Sequence, residues 1–197
     1  MCSSLLALFF VLFLATPKQA MALPGQHSIG LGAGQILLMS EYVKSYDNGI
    51  GFHALYEYDA SALFSFSARL NYSLHKGIGT ATIPANPADE LSIKGLTPNL
   101  KVNFAYLDKL IVYGLAGFGI FLVDMIKTPQ IGTAATFGFN LGTGFELPLF
   151  ANFKFGSSLS FHNVFDKKDP LSVVGALPAL GLGGTYMSLM LNALYVF

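Results

Sequence analysis

The 197-residue chain has no tryptophan and a single cysteine, Cys2. Cys2 precedes an apolar leader expected to be removed, so neither disulfides nor thiol chemistry enters the argument. Charge is scarce as well. Charged residues make up 11% of the chain, against roughly 25% in ordinary soluble domains. Lys+Arg and Asp+Glu number 11 each, for a formal net charge of +0. That balance leaves no cationic excess to displace counterions from a polyphosphate, which excludes nucleic acid as a partner. It also leaves no basic patch for an anionic membrane surface. Long apolar runs of helical length are missing too: crossing a bilayer takes about 20 such residues. Leu110–Val123 is charge-free but ends at Asp124, and Pro170–Phe197 is broken by Pro170, Gly175, Pro178, Gly181, Gly183 and Gly184. Neither stretch has the flanking Lys/Arg asymmetry that orients helical membrane proteins.

What is abundant is apolar surface. Hydrophobic residues are 53%, aromatics 14%, and the mean hydropathy is +0.55. Such a chain has ample surface to bury, which excludes disorder, yet too little charge to dress a soluble exterior. The composition asks for an apolar solvent, and with helices excluded the remaining membrane-spanning solution is a closed barrel of strands.

The amino terminus reads as an export signal. Leu5–Ala15 is an uncharged apolar run, too short to span a bilayer. It is followed by the polar breaker Thr16-Pro17-Lys18-Gln19 and the small-x-small sequence Ala20-Met21-Ala22. Cleavage is expected after Ala22. Residues 1–22 are then a signal peptide and 23–197 a single domain. The segment before the apolar run, Met1-Cys2-Ser3-Ser4, lacks the usual lysine or arginine.

Alternation with a period of two is the strongest positive signal. Phe64, Phe66, Ala68, Leu70, Tyr72 and Leu74 separate cleanly from Ser65, Ser67, Arg69, Asn71, Ser73 and His75. A strand places these sets on opposite faces, whereas a helix would mix Arg69 among the apolar residues. The pattern recurs through Leu100–Tyr106 and Ala135–Phe145. Eight strands are predicted at 27–40, 49–59, 62–75, 92–106, 110–123, 133–147, 152–164 and 184–197. Glycines at 30, 32 and 34 and at 114, 117 and 119 leave the faces of the first and fifth strands ambiguous. Tight connections (Asp59-Ala60-Ser61, Leu107-Asp108-Lys109, Pro148–Ala151) alternate with longer ones around 41–48, 76–91, 124–132 and 165–183. Short turns on one rim and long loops on the other describe an all-β, eight-stranded antiparallel up-and-down transmembrane barrel. An even strand number puts both termini on the short-turn, periplasmic rim. Tyr56, Tyr58, Phe64, Phe66, Phe104, Tyr106, Tyr113, Phe145, Phe153, Phe155, Tyr195 and Phe197 all fall near that rim, as expected of an interfacial aromatic girdle. A soluble lipid-binding calyx would invert the alternation. It is disfavoured by the low charge, by the aromatic ending at Phe197, and by the lack of any Gly-x-Trp opening.

Three segments carry a family resemblance. They are the closing strand Leu189–Phe197, the Leu96–Phe104 segment leading into Tyr113–Gly119, and Gly138–Glu146. Together they resemble the small eight-stranded outer-membrane barrels of Gram-negative bacteria, the OmpA/OmpX-like superfamily, over residues 23–197. The resemblance implies residence in the outer membrane among its lipids and lipopolysaccharide. It also implies recognition of the last strand, ending in Phe197, by the barrel-assembly machinery. With nothing after Phe197, no periplasmic peptidoglycan-binding domain is expected. One chain forms one barrel, so a monomer is expected.

Inward positions carry Glu57, Arg69, Lys101, Glu146 and Lys154, with His53, His75, His162, Asn71, Asn103 and Asn140. Eight strands leave an interior that side chains just fill, so these groups are expected to pair and plug the lumen. Glu57, Glu146 and Lys154 should meet near the short-turn rim, while Arg69 and Lys101 have no obvious counter-charge. Ser158, Ser160 and His162 share the inward face of the seventh strand. Some eight-stranded barrels deacylate lipid A with serine, histidine and an acid, but Ser160-Phe161-His162 is not their His-x-Ser arrangement, and no acid is placed to orient the imidazole. Gly30-Leu31-Gly32-Ala33-Gly34 lacks nucleotide-loop spacing, and the four histidines show no metal spacing. The reading is a structural or surface-interacting outer-membrane barrel with no catalytic residues, cofactor or metal. A narrow porin-like channel is the alternative, and a lipid A-modifying enzyme the third choice.

Overall fold

A computed structural model describes residues 24–39, 46–78, 90–107, 110–126, 134–150, 152–165 and 183–197. The leader at 1–22, most of the long connections and the Asp166–Asp169 charge run lie outside the described residues. Eight strands follow one another: β1 (His27–Met39), β2 (Gly49–Asp59), β3 (Phe64–Lys76), β4 (Glu90–Leu107), β5 (Leu110–Met125), β6 (Ala134–Phe150), β7 (Phe153–Val164) and β8 (Gly184–Val196). Each pairs antiparallel with its sequence neighbours, and β1 pairs with β8 to close the barrel. Closure leaves no strand edge unpaired, as a hydrocarbon solvent requires. The seam runs from Ser28↔Val196 to Met39↔Thr185. Beyond it Phe197 and His27 exchange backbone hydrogen bonds, of 3.2 Å from His27 N and 2.9 Å from Phe197 N.

The two faces of each strand divide as the alternation requires. On β3, Leu70 is 60% exposed on the outer wall while Arg69 is 5% exposed and faces inward. Outer positions such as Leu31, Phe52, Phe118, Phe137 and Leu191 form a continuous apolar mantle. The structure resolves the two strands whose faces the sequence left open. Gly32 and Gly119 sit on buried, inward positions, and Phe118 and Ile120 point outward. A side chain at Gly32 would collide with His53 and Asn192. One at Gly138 would strike the Phe121 ring, and one at Gly119 would strike the Thr97 methyl and press on the same ring. These glycines make room for their neighbours' bulk.

One aromatic assignment is corrected. Tyr113 is not in the girdle: it is 1% exposed and projects into the lumen, where a side chain at Gly144 would meet it. Register shifts at Asn103/Ala105 in the β4–β5 ladder and at Pro148/Phe150 in the β6–β7 ladder lie at the short-turn rim, where bulges commonly end pairing.

Leu70 lies midway along an outer face. Leu70→Arg is expected to cost about 2–4 kcal/mol, the penalty for a cation at the bilayer midplane. Urea titration of protein refolded into phospholipid vesicles reads it, and unchanged stability would mean Leu70 does not touch acyl chains.

Candidate functional site

The inward faces build a lumen in three layers. At the short-turn end, the register brings inward residues of β2, β4, β6 and β7 to one height, where Ser65 pairs with Lys101 and Pro148 with Lys154. Lys101 is the hub. Its Nζ lies 2.7 Å from Glu57 Oε1 and 2.5 Å from Glu146 Oε1, and 4.4 Å above the Tyr113 ring. Lys154 Nζ lies 3.3 Å from Asp59 Oδ2, 3.8 Å from Glu146 Oε2 and 4.0 Å from Glu57 Oε1. Ser65 Oγ donates to Asp59 Oδ1 at 2.5 Å. All five charged groups are buried. Desolvating them is tolerable only because each carboxylate meets an ammonium at hydrogen-bonding or close ionic distance.

The middle layer is neutral and polar apart from Arg69. Asn140 Nδ2 donates to Asn99 Oδ1 at 2.5 Å, and Asn99 Nδ2 to the Thr97 carbonyl at 2.7 Å. Asn71 Nδ2 donates to Thr97 Oγ1 at 3.1 Å, and Asn192 Nδ2 to Ser158 Oγ at 3.2 Å. His162 Nε2 lies 3.0 Å from Ser188 Oγ.

The outer layer is apolar. Ile36, Leu38, Tyr46, Leu91, Ile93, Phe121, Val123, Val164, Tyr186 and Met190 form one buried cluster. Tyr186 stacks on His162 with centroids 4.4 Å apart, and Phe121 meets the same imidazole edge-on at 6.3 Å. His75, higher on β3, is held between the Asp47 carbonyl and Ser73 Oγ.

Measured against the sequence, the periplasmic-end group of Glu57, Glu146 and Lys154 is present. Lys101, which had no evident partner, proves to be its centre. Asp59, read only as a turn residue, turns inward and takes Lys154. Its place on the inward register of β2, two residues after Glu57, was the signal for it. Arg69 pairs with none of the described carboxylates, and its Nε is buried without a hydrogen-bond partner. The apolar outer layer was missed because Leu37, Leu38 and Met39 in β1, and Ile120 to Val123 in β5, are apolar on both faces and carry no alternation. On β7, Ser158, Ser160 and His162 do share the inward face. The hydroxyl against His162, however, is Ser188 of β8, and His162 Nδ1 has no hydrogen-bond partner, carboxylate or otherwise. Among the described residues no group of three or more His, Cys, Asp or Glu could hold a metal ion.

A protein-family model described as "Outer membrane protein beta-barrel domain" matches residues 6–188. Comparison with curated proteins finds no match. Solved structures with a similar fold include Ail, the attachment invasion locus protein of Yersinia pestis. It is 17% identical, with 89% of this chain and 100% of that one covered, at a TM-score of 0.53. Neisserial surface protein A is 9% identical over 87% of this chain and 98% of its own, at 0.55. OprG of Pseudomonas aeruginosa is 11% identical over 88% and 96%, at 0.54. At such identities the likeness concerns fold alone.

Removing the hub cation strands two buried carboxylates. Lys101→Met is expected to destabilise the barrel by about 3–5 kcal/mol, read by urea unfolding of refolded protein. Adding Glu146→Gln should recover part of the loss. A neutral result for Lys101→Met would mean that water or another cation reaches Glu57 and Glu146.

Proposed function

Because this chain belongs to the outer membrane protein β-barrel family, a barrel of the Gram-negative outer membrane, we propose that it serves there as a structural and surface-contacting element and not as a catalyst. The observation that carries the reading is the state of the lumen. It is filled by the Lys101 and Lys154 ion network at one end and by the Phe121–Tyr186 apolar cluster at the other. A filled lumen leaves the outer wall and the long-loop rim as working surfaces. The wall is solvated by lipid and lipopolysaccharide chains. Contact with the surroundings is assigned to the connections at 76–91 and 165–183. Residues 1–22 deliver the chain as a cleaved signal, and the strand ending in Phe197 presents it to the barrel-assembly machinery. The barrel works as a monomer.

The reading against catalysis rests on chemistry. An acyl-transfer site needs a nucleophile, a base and a group that orients the base. His162 and Ser188 supply the first two, but Nδ1 of His162 meets no acid among the described residues. Tyr186 and Phe121 cover the imidazole against a substrate as large as lipid A.

A narrow channel for small solutes is the second reading, favoured by the polar middle layer. It requires both seals to open together.

Planar-bilayer recording of refolded protein separates the two, with no steady unit conductance expected. Reproducible unit steps would overturn the filled-lumen reading. Lipopolysaccharide incubated with wild type and with His162→Ala should show the same acylation state. Acyl release by wild type alone would establish catalysis.

A further inference from the structure

We propose that the middle of the lumen binds one small monovalent anion of the chloride class, held by Arg69. The Arg69 side chain projects inward from the centre of β3 and is 5% exposed. Each of the three lumen carboxylates is already engaged by a lysine at the short-turn end: Glu57 and Glu146 by Lys101, and Asp59 by Lys154. None of them pairs with Arg69, and Arg69 Nε is without a hydrogen-bond partner. A buried guanidinium N–H with no acceptor, on a side chain that no carboxylate pairs, is expensive to hold. Long-range attraction to the lower cluster lowers that cost but makes no hydrogen bond.

The surroundings share the same deficit. His162 Nδ1, Ser67 Oγ and Ser160 Oγ are buried on the inward faces and also unpartnered. Arg69 on β3, His53 on β2 and His162 on β7 all stand on buried, inward-facing positions. His53 and Asn192 both crowd the space above Gly32, where a side chain would exclude them. A hydroxyl or a neutral imidazole N–H can donate, so these groups offer an anion neutral donors around one fixed positive charge. The carboxylates below repel an anion from the short-turn end, and the Ile36–Met190 cluster excludes it above. The middle layer is therefore the one level of the described lumen with an unengaged cation.

The chemistry limits the ligand. A layer flanked by side chains in an eight-stranded lumen has little free volume, so the occupant is a halide-sized ion and not a sugar phosphate or a fatty acid.

The experiment is a titration of refolded, isotopically labelled full-length barrel in nanodiscs. Chloride replaces gluconate at constant ionic strength while the His53 and His162 imidazole resonances are followed. Saturable shifts are expected with chloride and bromide. They should be abolished in Arg69→Met and weakened several-fold in Arg69→Lys, which keeps the charge but loses the fork of donors. Crystals grown in bromide should show an anomalous peak within hydrogen-bonding distance of the Arg69 guanidinium. Shifts that are linear in chloride, or that survive in Arg69→Met, overturn the proposal. So does density at Arg69 that is water in bromide-grown crystals. The wild-type titration decides the matter even where Arg69→Met does not refold.

Discussion

Eight strands close a cylinder barely wider than the side chains it must contain, and the rest of the molecule answers to that width. A bulky inward residue is possible only where its neighbours across the wall are small. Tyr113 lies against Gly144, Phe121 against Gly119 and Gly138, and His53 and Asn192 against Gly32. Two of the glycines that obscure β1 and β5 in the sequence, Gly32 and Gly119, are the counterpart of rings that fill the lumen. Charge obeys the same constraint. At the short-turn end the buried charges solvate one another, and Lys101 and Lys154 share Glu57, Asp59 and Glu146 in one compact network.

The outer wall follows a complementary logic. Hydrocarbon offers no hydrogen bonds, so closure through the β1–β8 seam satisfies the backbone and the mantle of Leu, Ile and Phe satisfies the solvent. The aromatic residues at the short-turn rim fix the depth of the barrel. There His27 stacks on Phe197 and lies 2.7 Å from the Tyr56 hydroxyl, and Phe153 packs edge-on against Tyr195. The seam residues thus join ladder closure to the membrane interface.

Much of this was legible in the residues. Strand positions, the closed antiparallel order and the inward set of β3 follow from period-two alternation, because one face meets lipid and the other does not. The ion cluster was half legible. Glu57, Glu146 and Lys154 share a rim by counting from the turns, but which carboxylates Lys101 reaches depends on the stagger of β2, β4 and β6, and alternation does not encode stagger. Asp59 was obscured by standing beside a turn. The apolar outer layer was illegible for a different reason: where both faces of a strand are apolar, as at Ile120–Val123, nothing in the pattern marks which residues turn inward. Ser188 escaped notice because it meets His162 only through the β7–β8 register.

The central claim is that the apolar faces look outward into lipid around a filled interior. Single nitroxide labels at successive positions 64–75 of β3, in the barrel reconstituted in a bilayer, test it most directly by collisions with oxygen and with a water-soluble nickel chelate. The account predicts oxygen access peaking at 66, 70 and 74, and neither reagent reaching 65, 67 and 69. Nickel access at 66, 70 and 74, with oxygen access at the alternate positions, would contradict it.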